Sequence, residues 1–549
     1  MKILRLLPLV FLIFSCTHNS NQKTNCVNVD AEILPTLVND HFGGVGFNVF
    51  DHMHNASRWH YEQIFAKRWR ELNPSFARVP DACSWDFGKI DEVSWFLDVM
   101  KETNTEIYMT TFSNTCLKKG VNENEYVKKE VDNLEYLKKV KGFNNITYYC
   151  MANELSHGEW ASMVKDLDFF KKIHKMFHNE LQSRNLGIEL LASDASPFEY
   201  WHTIEWAANN MDSITGIYGG HHYINDRDLF DNSFYKYFHD KIKWGTDLAK
   251  TKNKRFIMGE FGAKQNSNII DSVMHDANMY NHTPLEKYMC IQVSEAILAL
   301  INAGSYACGY WTFSDFPFPA NGRRTNKWGL YHWEIDNYTT KPAYYCLGLL
   351  TKFFRGPSEA YEVALSDSLI RASAVKNKEN GSVSVAVINR NDHPAKINLN
   401  LGSLTVDKAF RKYLYDPENV PFNYFGDLQD PCCKIPLKKN GISDIIPPHS
   451  LAVYTTSYDD DPPAGVSNLK IERIREEGRN RALLTWDPNT ENDLCYYRIY
   501  RSIKPTVEII PQNEIGTTIA NSFKDISVHN LPEYHYRVIA VDQSGNASN

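Results

Sequence analysis

The spacing of apolar and polar positions divides the chain into regions of different period. From about residue 40 to 355, short runs rich in β-branched and aromatic residues alternate with longer stretches whose apolar positions recur every three or four residues. These are the signatures of buried strands and amphipathic helices. The runs predict strands over Phe42 to Phe50, Ser75 to Pro80, Glu106 to Phe112, Ile146 to Glu154, Ile188 to Ser196, Ile214 to Ile224, Arg255 to Gly262 and Ala307 to Phe316. Helical period marks Ile90 to Glu102, Glu159 to Ser183, Phe234 to Lys250 and Leu285 to Ala303, and Pro342 to Phe354 follows the last strand. Eight strand-helix units in roughly 300 residues match the size and repeat of a closed (β/α)8 barrel, a TIM barrel. An open doubly wound sheet is the competitor, but no Gly-x-Gly-x-x-Gly turn follows the first strand; Gly43-Gly-Val-Gly46 falls inside it.

After Gly356 the helical period stops. Gly381-Ser-Val-Ser-Val-Ala-Val-Ile-Asn389 and Ser450-Leu-Ala-Val-Tyr-Thr-Thr456 alternate with period two, which predicts a β-sandwich over 356–457 beside a barrel at 39–355. Residues 458–465, with Asp459-Asp-Asp-Pro-Pro-Ala-Gly465, read as a linker kept extended by prolines and like charges. Residues 466–549 resemble a fibronectin type III module, a further β-sandwich. Leu483-Leu-Thr-Trp486, Tyr496-Tyr-Arg-Ile-Tyr500 and Leu531-Pro-Glu-Tyr-His-Tyr-Arg-Val-Ile-Ala-Val-Asp542 carry the resemblance, with Trp486 as core tryptophan and Tyr536 as corner tyrosine. Gly545-Asn-Ala-Ser-Asn549 stands where that family adds a final strand, which implies an incomplete module or an exposed edge used for contacts.

At 549 residues the chain exceeds one compact core, and domain sizes point to roughly three or four units. With 43% hydrophobic residues, 23% charged residues and a net charge of -7, it lacks the basic stripe of a nucleic-acid binder. The 13% aromatic content and 12 tryptophans supply rings that suit the flat faces of sugars, although each ring also serves as core filling. Met1 to Phe14 has a charged start and a short apolar segment, the pattern of a secretory signal. Leu12-Ile-Phe-Ser-Cys16 resembles the bacterial lipobox. That implies a signal peptide at 1–15, acylation of Cys16, a tether at 16–38 and a cell-envelope protein held to the membrane by lipid alone. A plain signal peptide with a chance cysteine is the alternative. The other ten cysteines show no Cys-x-x-Cys spacing, so neither a zinc nor a redox motif is indicated. Cys150 and Cys308 fall in strands as small hydrophobes, and Cys432-Cys433 are left open to disulfide pairing.

Two glutamates each close an apolar run: Glu154 in Ile146-Thr-Tyr-Tyr-Cys-Met-Ala-Asn-Glu154, and Glu260 in Arg255-Phe-Ile-Met-Gly-Glu260-Phe-Gly. The C-terminal ends of barrel strands are where such enzymes keep their chemistry. Either residue alone also reads as a helix cap or a surface charge. Cleavage of a glycosidic bond takes two carboxyl groups, one protonating the leaving oxygen and one attacking or activating water.

On these residues, the region from about 40 to 355 resembles a clan A glycoside hydrolase, of the cellulase-like superfamily. Asn153-Glu154 matches the clan's strand-four asparagine and acid/base, with Asn153 reaching the sugar 2-hydroxyl. Gly259-Glu260-Phe-Gly262 matches the strand-seven nucleophile. His221 and Tyr223, in His221-His-Tyr223, match the strand-six His-x-Tyr, whose tyrosine hydroxyl bonds the nucleophile. Arg78 in Phe76-Ala-Arg-Val-Pro80 matches the strand-two arginine beside the nucleophile, and Trp311 in Gly309-Tyr-Trp-Thr-Phe313 the strand-eight floor under the sugar. The resemblance implies carboxyl groups about 5 to 5.5 Å apart and retention through a covalent glycosyl-enzyme. It further implies a more buried Glu154 with a raised pKa, a Glu260 kept ionised by Arg78 and Tyr223, and no metal or cofactor.

Trp85 after strand two, Trp160 after strand four and Trp201 after strand five are candidate sugar-stacking rings, and the segments Ala263 to His282 and Ala320 to Trp333 exceed usual connection lengths. Two other readings share these residues: a glycan-binding lipoprotein without turnover, and a transglycosylase. The substrate implied is a polysaccharide or oligosaccharide; β-glucan, mannan, galactan and xylan, internal or terminal cutting, and the oligomeric state are all left open.

Overall fold

The computed structural model describes residues 26–49, 57–112, 117, 121–156, 165–225, 232–264, 286–318, 324–326, 328–334, 337–528 and 533–549. Cys16, Trp160 and most of the segment expected to follow strand seven lie outside the described residues.

Each of the eight apolar runs forms a strand: β1 (Val27–Asn48), β2 (Phe76–Pro80), β3 (Glu106–Thr110), β4 (Ile146–Cys150), β5 (Glu189–Ala195), β6 (Ile217–Asn225), β7 (Phe256–Lys264) and β8 (Ala307–Tyr310). Neighbours pair in parallel in chain order, and β1 also pairs with β8, Gly44 opposite Ala307 and Phe47 opposite Tyr310. The ring is therefore closed. Its strands are apolar along their whole length because side chains on one face fill the barrel and those on the other meet the helices; every residue of β2 and β8 is buried. Gly46 allows β1 and β2 to approach closely, since a Cβ there would sit 1.6 Å from the Phe76 carbonyl oxygen.

The helices Glu123–Glu135, Leu167–Ser183, Phe234–Thr251, Glu286–Asn302 and Pro342–Phe353 lie between strands or after the last one. Glu286–Asn302 is buried on every face from Met289 to Ile301, because the β-sandwich covers the side that solvent would otherwise reach. Asn302 Nδ2 donates to the Ala372 carbonyl and Ser373 Oγ to the Leu298 carbonyl across that boundary. Strand eight is shorter than expected; Phe316–Phe318 (β9) instead forms an antiparallel hairpin with Arg324–Asn326 (β10).

The expected tether differs from what is observed. Val27 onward is already strand, and Val27 to Glu32 pairs in parallel with β14 (Ala395–Asn400) of the sandwich and, from Ala31, antiparallel with β11 (Arg355–Leu365). Val29, Ala31 and Ile33 are buried while Asn28, Asp30 and Glu32 are exposed, so a clean period-two alternation puts this segment into the sandwich core. A single long strand thus belongs to both the barrel ring and the sandwich. β12 (Ile370–Asn377), β13 (Val383–Asn389), β15 (Phe410–Tyr415), β16 (Cys433–Ile435), β17 (Gly441–Ile446) and β18 (Ser450–Thr455) complete that layer around a core of its own.

β19 (Lys470–Glu476), β20 (Arg479–Thr485) and β23 (Ser522–Asp525) make one three-stranded sheet, and β21 (Leu494–Ser502), β22 (Glu514–Thr518) and β24 (His535–Asp542) another. Trp486, Tyr497, Ile499, Phe523 and Val538 pack between them. Tyr536 donates to Asp525 Oδ2 at 3.0 Å. The outer edge of β24 is partly covered by the chain itself, since Val541 bridges Ala547 and Ser548 N donates to the Ala540 carbonyl. Asp427, from the 356–457 region, links the other two parts: its Oδ1 lies 2.5 Å from Lys67 Nζ of the barrel and its Oδ2 2.9 Å from Arg498 of β21, while Lys67 Nζ also lies 3.0 Å from Glu71 Oε2 and 4.4 Å from the ring centre of Tyr496. Cys83 is disulfide-bonded, whereas Cys432 and Cys433 are free and exposed. No helix among the described residues is long and apolar enough to cross a membrane.

Candidate active site

The sequence-derived residues gather at the C-terminal ends of the ring strands. Arg78 on β2 is fully buried and makes four contacts: Nη1 donates to Glu260 Oε2 at 2.8 Å and to Asn48 Oδ1 at 3.0 Å, and Nη2 to Asn153 Oδ1 and Asp194 Oδ2, both at 2.7 Å. Tyr223 donates its hydroxyl to Glu260 Oε1. His221 Nδ1 lies 3.2 Å from Glu154 Oε1, and its Nε2 2.8 Å from Asp194 Oδ1. Glu154, His221 and Glu260 each bring one ligating-type atom within 4.8 Å of the others. The two carboxyl groups therefore meet across the mouth of the ring.

Local backbone irregularities aim these side chains inward. The pairing register slips between Ser193 and Ala195 on β5, between Gly220 and His221 on β6, and between Met258 and Phe261 on β7. Such bulges turn a side chain that strict alternation would send elsewhere, and they concentrate next to active sites. Asp194 and Glu154 also have left-handed backbones, with φ of 59° and 50°. A non-glycine residue held there costs about 1–3 kcal/mol and clusters at functional sites. Gly259, preceding Glu260, leaves little room for a side chain: a Cβ would lie 3.0 Å from His221 Nε2 and 3.1 Å from Asp194 Oδ1.

The electrostatics differ from the expectation. Glu260 is not simply held ionised. Burial pushes its pKa up, the charge of Glu154 adds to that, and His221, Arg78 and the Tyr223 hydroxyl pull it back. Nor is Glu154 the more buried of the pair: its side chain is 15% exposed against 8% for Glu260, because it sits beyond the end of β4 while Glu260 lies within β7. Burial is the largest single influence on His221 and lowers its pKa, but the charge of Asp194 together with hydrogen bonding to Asp194 and Glu154 more than offsets it and carries the imidazole up to about 9. Asp194 is pulled down to about 2 by Arg78 and His221, against the opposing effect of burial. Tyr223 is pushed well above the phenol range by burial and then by Glu260, so it acts as a donor. Glu154, His221 and Glu260 bring two carboxyl groups and an imidazole together, the side chains that exchange protons in general acid-base chemistry.

The aromatic candidates divide. Trp311, half-buried after β8, lies 5.6 Å from Phe112, which in turn covers the Arg78 guanidinium at 4.6 Å. Trp85 does not line the site. It is 1% exposed within the main core, because Asp81 caps the short helix Ala82–Trp85 and the turn swings the ring inward. Trp201 is likewise buried, its Nε1 donating to the Ala195 and His221 carbonyls. Three residues of the cluster were not anticipated: Asn48, Asp194 and Trp328, whose ring meets Tyr223 edge-on at 4.7 Å. For Asp194 a signal existed, a lone acid inside the apolar run Leu190-Leu-Ala-Ser-Asp194-Ala.

Neither a protein-family model nor a curated protein matches the chain. Solved structures match its fold. A bacterial orthologue of human α-L-iduronidase superimposes with a TM-score of 0.57 at 13% identity, covering 95% of this chain and 99% of its own. A family 30 subfamily 8 xylanase from Clostridium acetobutylicum gives 0.54 at 14% identity, over 78% of this chain and 99% of that one. A family 51 arabinofuranosidase from Xanthomonas axonopodis pv. citri gives 0.56 at 11% identity, with 78% and 99% covered. The fold is one that glycoside hydrolases use.

Proposed function

We propose that this protein is a retaining glycoside hydrolase that cleaves O-glycosidic bonds of a polysaccharide or oligosaccharide, with Glu260 as nucleophile and Glu154 as acid/base. The observation that carries this is the approach of the two carboxyl groups to within 4.8 Å, with Arg78 and Tyr223 both on Glu260. Such closeness suits direct attack on the anomeric carbon and leaves no room for an intervening water, as inversion would need. In the first step a Glu260 oxygen bonds to the anomeric carbon while the glycosidic oxygen leaves with the proton of Glu154. In the second, Glu154 takes a proton from water, the water oxygen bonds to the same carbon, and Glu260 departs as carboxylate. Arg78 and Tyr223 place hydrogen-bond donors where charge returns to Glu260. Asn153, held by Arg78, and Trp311 are assigned to the sugar next to the cleaved bond.

The xylanase and arabinofuranosidase activities of the structural neighbours favour a plant-type pentose polymer as first substrate. The test is a panel of 4-nitrophenyl glycosides, β-D-xyloside, β-D-glucoside, β-D-mannoside, β-D-galactoside and α-L-arabinofuranoside, alongside xylan, with the product anomer followed by NMR. Release with retention supports the reading; inversion, or no turnover on any member, overturns it.

The N-terminal pattern supports attachment to the bacterial envelope by acylated Cys16, and residues 466–549 are assigned as a fibronectin type III-like module. Cys16→Ala should move the protein from the membrane fraction to the soluble one.

A further inference from the structure

Asp194 takes no part in the bond changes proposed above, yet it is fully buried at the centre of the site. Its Oδ2 lies 2.7 Å from Arg78 Nη2 and its Oδ1 2.8 Å from His221 Nε2. Each of those cations reaches one of the two glutamates, Arg78 touching Glu260 at 2.8 Å and His221 touching Glu154 at 3.2 Å. The result is an unbroken series, Glu260, Arg78, Asp194, His221, Glu154, with Asp194 as the anion between Arg78 and His221, which joins the two carboxyl groups behind the reacting centre. Without the middle anion, two cations would face each other in a water-poor interior, where like charges strongly oppose ionisation.

Among the described residues, the other titratable groups that face this series are neutral. Tyr108 from β3, Cys150 from β4 and Tyr223 from β6 are all kept protonated by burial. From β7, Gly259 lies against both Asp194 and His221, since a Cβ there would be 3.0 Å from His221 Nε2 and 3.1 Å from Asp194 Oδ1. The bulge at Asp194 and its left-handed backbone exist at a residue that contacts cations from two other strands. That is an arrangement for aiming a charge.

We infer that Asp194 is a positioning residue, which by pairing with Arg78 and His221 at once sets the orientation and charge of the two cations that hold Glu260 and Glu154. Its catalytic meaning rests on the glycosidase reading; its electrostatic content does not. When Glu260 becomes esterified and loses its charge, Arg78 still has Asp194 as counter-ion, so the site does not have to rearrange between the two steps.

The experiment uses the full chain labelled with 15N-histidine, without any substrate, and follows the His221 ring signals against pH; His221→Gln identifies them. The parent is expected to show an imidazolium at pH 7 that persists to about pH 9. In Asp194→Asn the midpoint should fall by about 1–3 pH units. On the aryl glycoside that the parent cleaves, the variant should lose kcat/KM by about 100-fold or more, mostly in kcat and with a shifted pH profile. A neutral His221 in the parent at pH 7, or the same midpoint in both proteins, overturns the inference. If Asp194→Asn does not fold, the parent titration still decides, and Asp194→Glu, which keeps the charge, should retain the imidazolium; a neutral ring there overturns it as well. A parent inactive on every glycoside would remove the glycosidase reading while leaving the titration result standing. An active parent with an unmoved midpoint in the variant would remove this inference alone.

Discussion

Arg78 Nη1 lies 2.8 Å from Glu260 Oε2, so a cation from β2 and a carboxylate from β7 meet inside the closed ring. The guanidinium simultaneously serves Asn48, Asn153 and Asp194. A lysine carries the charge but has no planar fork with which to hold four partners. Arg78→Lys is therefore expected to lower stability by about 1–3 kcal/mol, the cost of leaving a buried acceptor without its donor. Chemical denaturation measures this. Unchanged stability would show that the ion pairs are not formed in solution.

For the glutamates, the roles differ and so should the losses. Glu260→Ala is expected to abolish turnover of every substrate. Glu154→Ala should cost natural glycans about 10²- to 10⁴-fold, the size of general acid catalysis, while sparing 2,4-dinitrophenyl glycosides, whose leaving group needs no proton. Comparing kcat/KM on the two substrate types checks it, and equal losses would remove the acid role of Glu154.

Lys67 meets the C-terminal sheets through the Tyr496 ring and through Asp427, which Arg498 shares; its ammonium is fully buried between Asp427 and Glu71. Burial works against its charge, but the two carboxylates more than restore it, and Asp427 is drawn down to about 2. Lys67→Met should destabilise the protein by about 3–5 kcal/mol, because it removes one partner of a buried network rather than the whole of it. Limited proteolysis should then cut faster within 458–465. An unchanged cleavage rate would mean the module is held by other contacts.

Asp81 and Glu130 form a second buried acidic cluster, behind β2. Burial raises the Asp81 carboxyl to about 6 despite bonds from Ser84 and Tyr149, and burial together with the charge of Asp81 pushes Glu130 well up. The folded state thus holds protons that the unfolded chain releases near 3.8. For Asp81, this stabilisation is fully present below that value and is lost as the pH rises through about 6. Asp81→Asn, which can keep the cap on Ser84, should flatten the fall in Tm between about pH 4 and 6. A parent whose Tm does not change over that range would contradict the burial of this pair.

Much of the site was legible in the sequence. Glu154, Glu260, Arg78, His221 and Tyr223 could be placed at strand ends because strand and helix periods are written in consecutive residues, which need no knowledge of their partners. The alternation from Val27 to Ile33 was equally visible, but it was not read as part of a sandwich, since its parallel partner Ala395–Asn400 lies far along the chain. Trp85 and Trp201 were misread for a related reason: whether a ring near a strand end faces a cleft or a core is set by the turn that follows it.

What the sequence by itself determined is the order of elements and the two strands, β4 and β7, whose runs lead to Glu154 and Glu260. The tertiary structure alone decided that Asp194 joins the site, that Glu260 is the more buried carboxyl, and that His221 stands between Asp194 and Glu154. Bulge register, burial and charge balance arise between segments remote in sequence, and no local pattern encodes them.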